Sequence, residues 1–172
     1  MWAWLFWIAL ALLAYGFVGY PCALALLARW RPRPVAKGDG EPPVTLVIPA
    51  YNEAPVIADK IENALGLDYP PGRLEILVAS DGSTDGTDAI AAGYRDRGVR
   101  AIAYPQRRGK LQVLNDVVAQ AAGEIVVFTD ASGMLDRAAL RRLVRSFADP
   151  AVGCVTGRYR FGDPARTARE QG

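Results

Sequence analysis

Acidic and polar residues follow short apolar runs at three places in the chain, a spacing suited to metal and nucleotide chemistry. The clusters are residues 49–53 after the run 44–48, residues 80–87 after the run 74–79, and residues 129–133 after the run 124–128. Short continuous apolar runs are typical of buried parallel strands, and ligands of open parallel sheets bind beyond the carboxyl ends of the strands. The sequence therefore predicts a single crevice in which the three clusters meet.

Asp130, directly after one apolar run, is the first candidate for metal chemistry. Mg²⁺ and Mn²⁺ prefer oxygen ligands, and Mg²⁺ is often held by one or two carboxylates plus substrate phosphates. A helix cap or a turn is the alternative role for an aspartate at a strand end. The chain contains no histidine, so acid–base or metal chemistry must use carboxylates.

Residues 81–86, Asp-Gly-Ser-Thr-Asp-Gly, match the start of a calcium-binding EF-hand loop. That loop requires a glutamate at its twelfth position, where this chain has Ala92, and it follows a helix rather than a strand. The alternative is a strand-to-helix turn whose glycines permit unusual backbone angles and whose amides face an anion or a nucleoside. A ligand-free turn rich in Asp and Gly remains open as well.

Residues 107–110, Arg-Arg-Gly-Lys, are predicted to open a helix. They are not a Walker A loop, because Leu111 follows Lys110 and position 104 is not glycine. Basic side chains at a helix N-terminus oppose the helix dipole, which indicates an anion docked there. Solvated surface charge is the alternative interpretation.

Alternating strand and helix patterns predict an α/β fold with parallel connections. The expected strands are 44–48, 74–79, 99–104, 124–129 and 152–156. Helices are expected after Pro55, over 84–97 with Ser83 or Thr84 as the cap, along the apolar stripe 111–121, and after Asp136.

The N-terminal segment 2–28 carries no charged residue. As a helix it spans roughly 40 Å, more than a hydrocarbon core of about 30 Å, which predicts a membrane anchor that Pro21 would distort. A cleaved signal peptide is the alternative, disfavoured by the length of the apolar run and the lack of a basic start. The basic residues that follow predict a cytoplasmic C-terminal side; they are Arg29, Arg31, Arg33 and Lys37.

Composition divides the chain into an anchor at 1–30, a Pro- and Gly-rich linker at 31–43 and an α/β region at 44–172. The net charge is +2, but the residues after 38 carry a net −2. A near-neutral domain gives no support for a nucleic-acid partner. Two cysteines do not make a disulfide framework.

Taken together, the clusters resemble the family 2 glycosyltransferases, which bind nucleotide sugars in a GT-A fold. The matching segments are 47–53, 80–87, 108–110 with Leu114 and Asn115, and 128–132. The anchor resembles that of the membrane-attached members, which have a cytoplasmic catalytic domain and build polysaccharides or glycolipids. The resemblance implies a single-pass protein of the cell membrane and a GT-A-like, mostly parallel sheet flanked by helices, incomplete at its C-terminus.

The resemblance also implies roles for residues in the matching segments. Tyr51 and Asp81 would contact the base of the nucleotide, with Glu53 close to the same pocket. Lys110 would approach the diphosphate.

Asp130 would bind the ribose, or a Mg²⁺ or Mn²⁺ ion that bridges the phosphates. Ser132 stands at the third position of the family's Asp-x-Asp pattern, where a hydroxyl is a weaker ligand than a carboxylate. Family members that invert the anomeric carbon use a carboxylate to deprotonate an acceptor hydroxyl.

No catalytic base is named, because the family's later aspartate and Gln-x-x-Arg-Trp motif have no counterpart. Asp149 and Asp163, the late aspartates, each precede proline. The expected function is that of the donor-binding half of a truncated inverting enzyme, moving sugar from a UDP-sugar to a polysaccharide or lipid-linked acceptor. A non-catalytic nucleotide-binding membrane subunit or an inactive product is the alternative. A nucleotidyltransferase is less favoured, because residues 49–53 contain no glycine.

Overall fold

A computed structural model of the chain describes residues 2–158. Met1 and residues 159–172, which include Asp163 and the end of the expected α/β region, lie outside the described residues. The chain divides into two compact units after Val35.

The N-terminal unit is one continuous helix, Ala3–Trp30, long and apolar enough to cross a membrane. It consists of α1 (Ala3–Ala14), a π-helical segment (Tyr15–Gly19) and α2 (Tyr20–Trp30). Pro21 has no N–H to donate to the carbonyl of Phe17, and its ring crowds that carbonyl. The wider π-helical turn just before the proline, with the Tyr20 amide bonded to the Tyr15 carbonyl, is the distortion at this place.

The second unit is built on four parallel strands in the order β3-β2-β1-β4. The strands are β1 (Val44–Ala50), β2 (Leu74–Asp81), β3 (Val99–Tyr104) and β4 (Ile125–Phe128). The helices are α3 (Ala54–Leu65), α4 (Thr87–Ala92), α5 (Lys110–Val118) and α6 (Ala139–Val144), with 3₁₀ turns at Arg95–Arg97 and Arg145–Ala148. The parallel α/β sheet predicted from the sequence is confirmed.

The strand order reverses direction at β1. From β1 the chain moves to β2 and β3 on one side and then returns to place β4 on the other side. In open parallel sheets this switch point leaves a crevice beyond the carboxyl ends of the two strands that flank it, here β1 and β4. The residues after β1 and β4 must therefore flank that crevice.

Both faces of the sheet are covered, which explains the continuous apolar runs. On one face Leu46 and Ile48 of β1 pack with Ile57 and Ile61 of α3. On the other face the core consists of Val47, Leu77, Ala79, Val113 and Val117, the last two from α5.

The expected strand at 152–156 is wrong. These residues are irregular, and none of them is buried. A strand forms only where a neighbouring strand accepts and donates its backbone hydrogen bonds, and no strand among residues 2–158 pairs with this segment. Cys154, expected inside that strand, is exposed.

The expected helix at 84–97 is also shorter than predicted. It begins at Thr87 and gives way to a turn at Gly93 and the 3₁₀ turn Arg95–Arg97. Neither Ser83 nor Thr84 caps it. Gly86, with φ of 96°, occupies the N-cap position, and Asp85 just before it accepts hydrogen bonds at its Oδ1 from the Thr87 amide at 3.1 Å and the Thr87 hydroxyl at 2.6 Å.

The second half of the expected linker is bonded to the α/β unit. The Ala36 amide donates to Asp149 Oδ2 at 3.2 Å, and the Gly38 amide donates to the Arg145 carbonyl at 3.0 Å. The Tyr69 hydroxyl donates to the carbonyl of Pro42 at 2.5 Å. Residues 36–43 thus form an extended clasp over the unit, although they contain no regular structure.

Candidate functional site

A cleft of about 370 Å³ lies at the carboxyl ends of β1 and β4. It is lined by Pro49, Ala50, Tyr51, Glu53, Asp81, Arg107, Lys110, Val113, Asp130, Ala131 and Ser132. All six site residues predicted from the sequence are in this set, so the prediction that the three acidic clusters converge on one crevice is confirmed. The geometry does not test the role of each side chain.

The loops after β1 and β2 are cross-linked through Asn52. Its side-chain oxygen accepts a hydrogen bond from the Thr84 amide at 2.9 Å, and its own amide donates to the Ser83 hydroxyl at 3.1 Å. Asn52 adopts a left-handed backbone with φ of 55°, a conformation that asparagine tolerates better than most residues. This turn sets the directions of the flanking Tyr51 and Glu53.

A second link between the same loops runs through Asp85 and Thr87. The Glu53 amide donates to the Thr87 hydroxyl at 2.9 Å, and the Ala54 amide donates to Asp85 Oδ2 at 2.9 Å. Hydrogen bonds from the Thr87 hydroxyl and the Ala54 amide lower the pKa of Asp85. The Asp/Gly-rich loop thus holds the start of α3 against the start of α4.

Asp81 is the buried acidic residue of the cleft, with 5% of its surface exposed. Its Oδ1 accepts from the Arg108 amide at 2.6 Å, and its Oδ2 accepts from the Gly109 amide at 2.8 Å. These amides lie immediately before α5. The negative group at this basic helix start is therefore a carboxylate of the chain itself, and the expected docked anion stays a prediction.

Gly82 allows the loop before α5 to approach the end of β2. Its φ is +68°, and a Cβ added there would lie 2.5 Å from the backbone nitrogen of Arg107. No other residue fits without moving one of the two backbones. This close approach brings Arg107 to the cleft.

Arg107 was not predicted as a site residue. Its guanidinium carbon lies 4.1 Å from the centroid of the Tyr51 ring, a cation–π arrangement. Tyr51 is 39% exposed, so the stacked pair faces solvent at the cleft. The only sequence signal was its place beside Arg108 and Lys110 in a basic run after a strand.

Lys110 and Asp130 form an ion pair across the cleft. Lys110 Nζ lies 2.6 Å from Asp130 Oδ1, and the side chains are 60% and 55% exposed. Solvent screens such a pair, so it adds little to stability. Both side chains remain free to exchange this partner for a ligand.

The donor set fits a metal ion that arrives with phosphates better than a permanently bound one. Among residues 2–158 no group of three or more His, Cys, Asp and Glu side chains is placed to hold a metal. The cleft offers the Asp130 carboxylate and the Ser132 hydroxyl, with Glu53 on the same lining. Mg²⁺ commonly uses one or two carboxylates and completes its shell with phosphate oxygens and water.

Lys60, on α3, is a second residue that the sequence reasoning missed. Its side chain is fully buried, and its ammonium donates to the Thr129 hydroxyl at 2.8 Å and to the Gly133 carbonyl. Burial lowers its pKa to about 8, partly opposed by the negative charge of Asp130. A signal existed, since Lys60 shares a helical face with the core residues Ile57, Ile61 and Ala64.

Comparison with known proteins identifies relatives of this arrangement. The sequence model described as glycosyl transferase family 2 matches residues 45–171. The beta-monoglucosyldiacylglycerol synthase of Synechocystis is 34% identical over 146 residues, which are 77% of this chain and 29% of that protein. The chain thus spans about three-tenths of the length of the curated relatives it matches.

Two solved structures share the fold. The mannosyltransferase PcManGT from Pyrobaculum calidifontis, in complex with GDP-Man and Mn²⁺, is 37% identical with a TM-score of 0.73, covering 87% of this chain and 47% of that one. Residues 1–349 of S. aureus TarS, in complex with UDP-GlcNAc, are 26% identical with a TM-score of 0.54, covering 58% of this chain and 29% of that one.

Proposed function

This chain belongs to glycosyl transferase family 2, and from that membership we propose that its cleft holds the nucleoside diphosphate of a sugar donor. The observation that carries the proposal is the convergence of six residues from separate segments on one cleft at the β1/β4 switch point. Ligands of open parallel sheets bind at such points.

The base of the nucleotide occupies the end of the cleft formed by Tyr51, Arg107 and Asp81. The Tyr51 ring, backed by the Arg107 guanidinium, offers an aromatic surface for a planar base. The Asp81 carboxylate is an acceptor for a ring N–H, and two backbone amides already fix its orientation. Glu53, on the same lining, lies in the loop that carries Tyr51.

The diphosphate lies between Lys110 and Asp130. Lys110 supplies a positive charge for the phosphates, while Asp130 and Ser132 hold Mg²⁺ or Mn²⁺ or contact the ribose. A bound divalent ion would neutralise the negative charge that builds on the departing nucleoside diphosphate. Placing Lys110 beside the same phosphates adds a second positive charge where the leaving group forms.

The complete reaction is sugar transfer with inversion, in which an acceptor hydroxyl attacks the anomeric carbon, the nucleoside diphosphate leaves, and the hydroxyl proton passes to a base that is not among the residues assigned above. We propose a lipid-linked acceptor, with a polysaccharide as the alternative, because Ala3–Trp30 is long and apolar enough to hold the protein at a membrane. The relative from Synechocystis is named for a diacylglycerol product. The basic residues after the helix support a cytoplasmic position for the cleft.

We propose a UDP-sugar as the donor, and the TarS complex with UDP-GlcNAc supports this choice. A GDP-sugar is the second candidate, because the mannosyltransferase complex contains GDP-Man. Calorimetry of the full chain in detergent, with UDP and with GDP in the presence of Mn²⁺, separates the two. UDP is expected to bind at least tenfold more tightly than GDP. Tighter binding of GDP would identify a GDP-sugar as the donor.

The Asp130→Ala variant tests the site itself. It is expected to lose most Mn²⁺-dependent affinity for the nucleotide, while Asp96→Ala, at an exposed aspartate outside the cleft, is expected to bind as the parent does. Equal affinity with Mn²⁺ and with EDTA would contradict the metal role. Retained affinity in Asp130→Ala would contradict the assignment of the cleft.

A second candidate is nucleotide binding without transfer, because none of the residues assigned here deprotonates an acceptor. Incubation of the chain with radiolabelled UDP-sugars and membrane lipids separates the two candidates. Labelled lipid supports the transferase, and tight nucleotide binding without labelled lipid or polymer supports the binding subunit.

A further inference from the structure

A single buried ammonium bonds to both ends of the loop that contains Asp130 and Ser132. Lys60 Nζ donates to the Thr129 hydroxyl at one end and to the Gly133 carbonyl at the other. The lysine is fully buried on α3, whereas Asp130 is largely exposed on the cleft side. The loop is therefore held from behind by a residue that does not line the cleft.

Asn63, one helical turn further along the same face of α3, holds the next part of the chain. Its side-chain nitrogen donates to the Leu135 carbonyl at 2.9 Å, and its side-chain oxygen accepts from the Leu135 amide at 2.8 Å. The backbone contributes a bond from the Thr129 amide to the Val47 carbonyl at 3.1 Å and one from the Gly133 amide to the Asp130 carbonyl at 3.2 Å. Two polar side chains of α3 thus hold residues 129–135 at three points, namely the Thr129 hydroxyl, the Gly133 carbonyl and the backbone of Leu135.

Stability alone does not account for a lysine at this position. Burying an ammonium is costly, and an apolar side chain of similar volume is often as stable or more so in such a place. What an apolar side chain lacks is the ability to donate hydrogen bonds to two separated points of a loop. Lys60 provides that ability through one atom.

We propose that Lys60 is a positioning residue, which fixes the loop 129–133 so that Asp130 and Ser132 face the cleft. What those two residues bind rests on the proposed function, but the loop geometry does not. Residues that orient a metal ligand from behind commonly change metal affinity about 10- to 100-fold when they are replaced.

The test uses the full chain in detergent and compares the parent, Lys60→Met and Ile61→Val. Ile61 is the fully buried neighbour of Lys60 and makes no side-chain hydrogen bond, so its variant reports the effect of a general core defect. Two quantities are measured, namely amide hydrogen exchange over residues 129–135 and calorimetric affinity for UDP with Mn²⁺. Exchange over the β2 residues 76–79 is the internal reference.

Lys60→Met is expected to speed exchange over 129–135 at least tenfold, to leave 76–79 unchanged, and to weaken UDP–Mn²⁺ binding by about 10- to 100-fold. Ile61→Val is expected to leave both the loop and the affinity near the parent values. Unchanged loop exchange in Lys60→Met overturns the proposal, as does faster loop exchange with undiminished affinity. If Lys60→Met does not fold, Thr129→Val removes one end of the same bridge and is judged by the same criteria.

Failure of the proposed function gives a different result. In that case the parent chain itself does not bind UDP or GDP, while loop exchange in Lys60→Met still decides whether Lys60 fixes the loop.

Discussion

At the scale of single residues, Asp81 fastens a loop and also lines the cleft. Each carboxylate oxygen accepts a hydrogen bond from a backbone amide, one from Arg108 and one from Gly109, and the carboxylate is almost fully buried. Removing one of these hydrogen bonds to a buried carboxylate lowers the free energy of unfolding by about as much as any lost hydrogen bond to a charged group. The residue therefore matters to the fold independently of any ligand.

We expect Asp81→Asn to lower the free energy of unfolding by about 2 to 3 kcal/mol, because an amide NH₂ would face one of the two backbone N–H groups. Urea unfolding followed by circular dichroism measures this. The matched control is Asp96→Asn, at an exposed site, expected within about 0.5 kcal/mol of the parent. An Asp81 variant as stable as that control would show that the two hydrogen bonds from the backbone amides contribute little to stability.

Sequence patterns identified Tyr51, Glu53, Asp81, Lys110, Asp130 and Ser132 because each stands in a short segment whose order is recognisable. They did not identify Arg107 or Lys60. Arg107 becomes a cleft residue only because Gly82 lets its backbone approach β2. The role of Lys60 exists only when α3 packs beneath a loop about 70 residues away.

At the scale of elements, Gly82 permits the contact between the end of β2 and the loop before α5. We expect Gly82→Ala to destabilise the protein by about 3 kcal/mol or more, because it combines a left-handed backbone with a backbone clash. Gly72→Ala is the matched control, since Gly72 also has a positive φ but has open space around it. That control is expected to cost about 1 kcal/mol. Equal losses of stability in the two variants, measured by urea unfolding, would mean that the close backbone approach at Gly82 does not cause the extra destabilisation.

Glu75 on β2 connects the sheet to the chain before β4. Its Oε2 accepts hydrogen bonds from the Thr45 hydroxyl at 2.6 Å and from the Ala122 amide at 3.0 Å, and Arg100 of β3 lies 3.3 Å from its Oε1. Burial by itself would raise the pKa of Glu75, but these hydrogen bonds outweigh it and hold the pKa below the ordinary value of 4.5.

A lowered carboxyl pKa means that Glu75 contributes stability above pH 4.5, which is lost as the pH falls through the lower folded-state pKa. We expect Glu75→Gln to be less stable than the parent at neutral pH and to lose less stability on acidification. Urea unfolding at a series of pH values measures both slopes. If stability falls with pH equally in the parent and in Glu75→Gln, the Glu75 carboxyl does not contribute to the loss of stability in acid.

The four strands of the sheet were predicted because each is an apolar run buried on both faces, as Leu46 and Val47 of β1 illustrate. The segment 152–156 has a similar composition and is irregular. Composition indicates which residues could form a strand, but a strand forms only where a neighbouring strand supplies the backbone hydrogen bonds. The helix α4 ends early because Gly93 has a low helix propensity and the chain turns there.

At the scale of the whole molecule, the α/β unit has a core of its own. Among residues 2–158, all the buried residues belong to it, and none belongs to the helix Ala3–Trp30. We expect a chain that begins at Ala36 to fold without detergent, with a free energy of unfolding within about 0.5 kcal/mol of the parent's.

A chain that begins at Val44 is the informative comparison. It lacks the clasp 36–43 and with it the bonds to Asp149, Arg145 and Tyr69, so it is expected to be about 1 to 3 kcal/mol less stable. Equal stability of the two truncated chains would show that the clasp contributes nothing.

The exposed pair of Lys110 and Asp130 has a consequence for how the proposed metal ion and diphosphate affect each other's binding. In the proposed site, a metal ion alone would take Asp130 and leave the ammonium without its partner, and a diphosphate alone would take Lys110 and leave the carboxylate without its partner. When both arrive, each side chain gains a new partner for the one it gives up. If both ligands bind as proposed, they are energetically coupled, so each should raise the affinity of the other by the same factor.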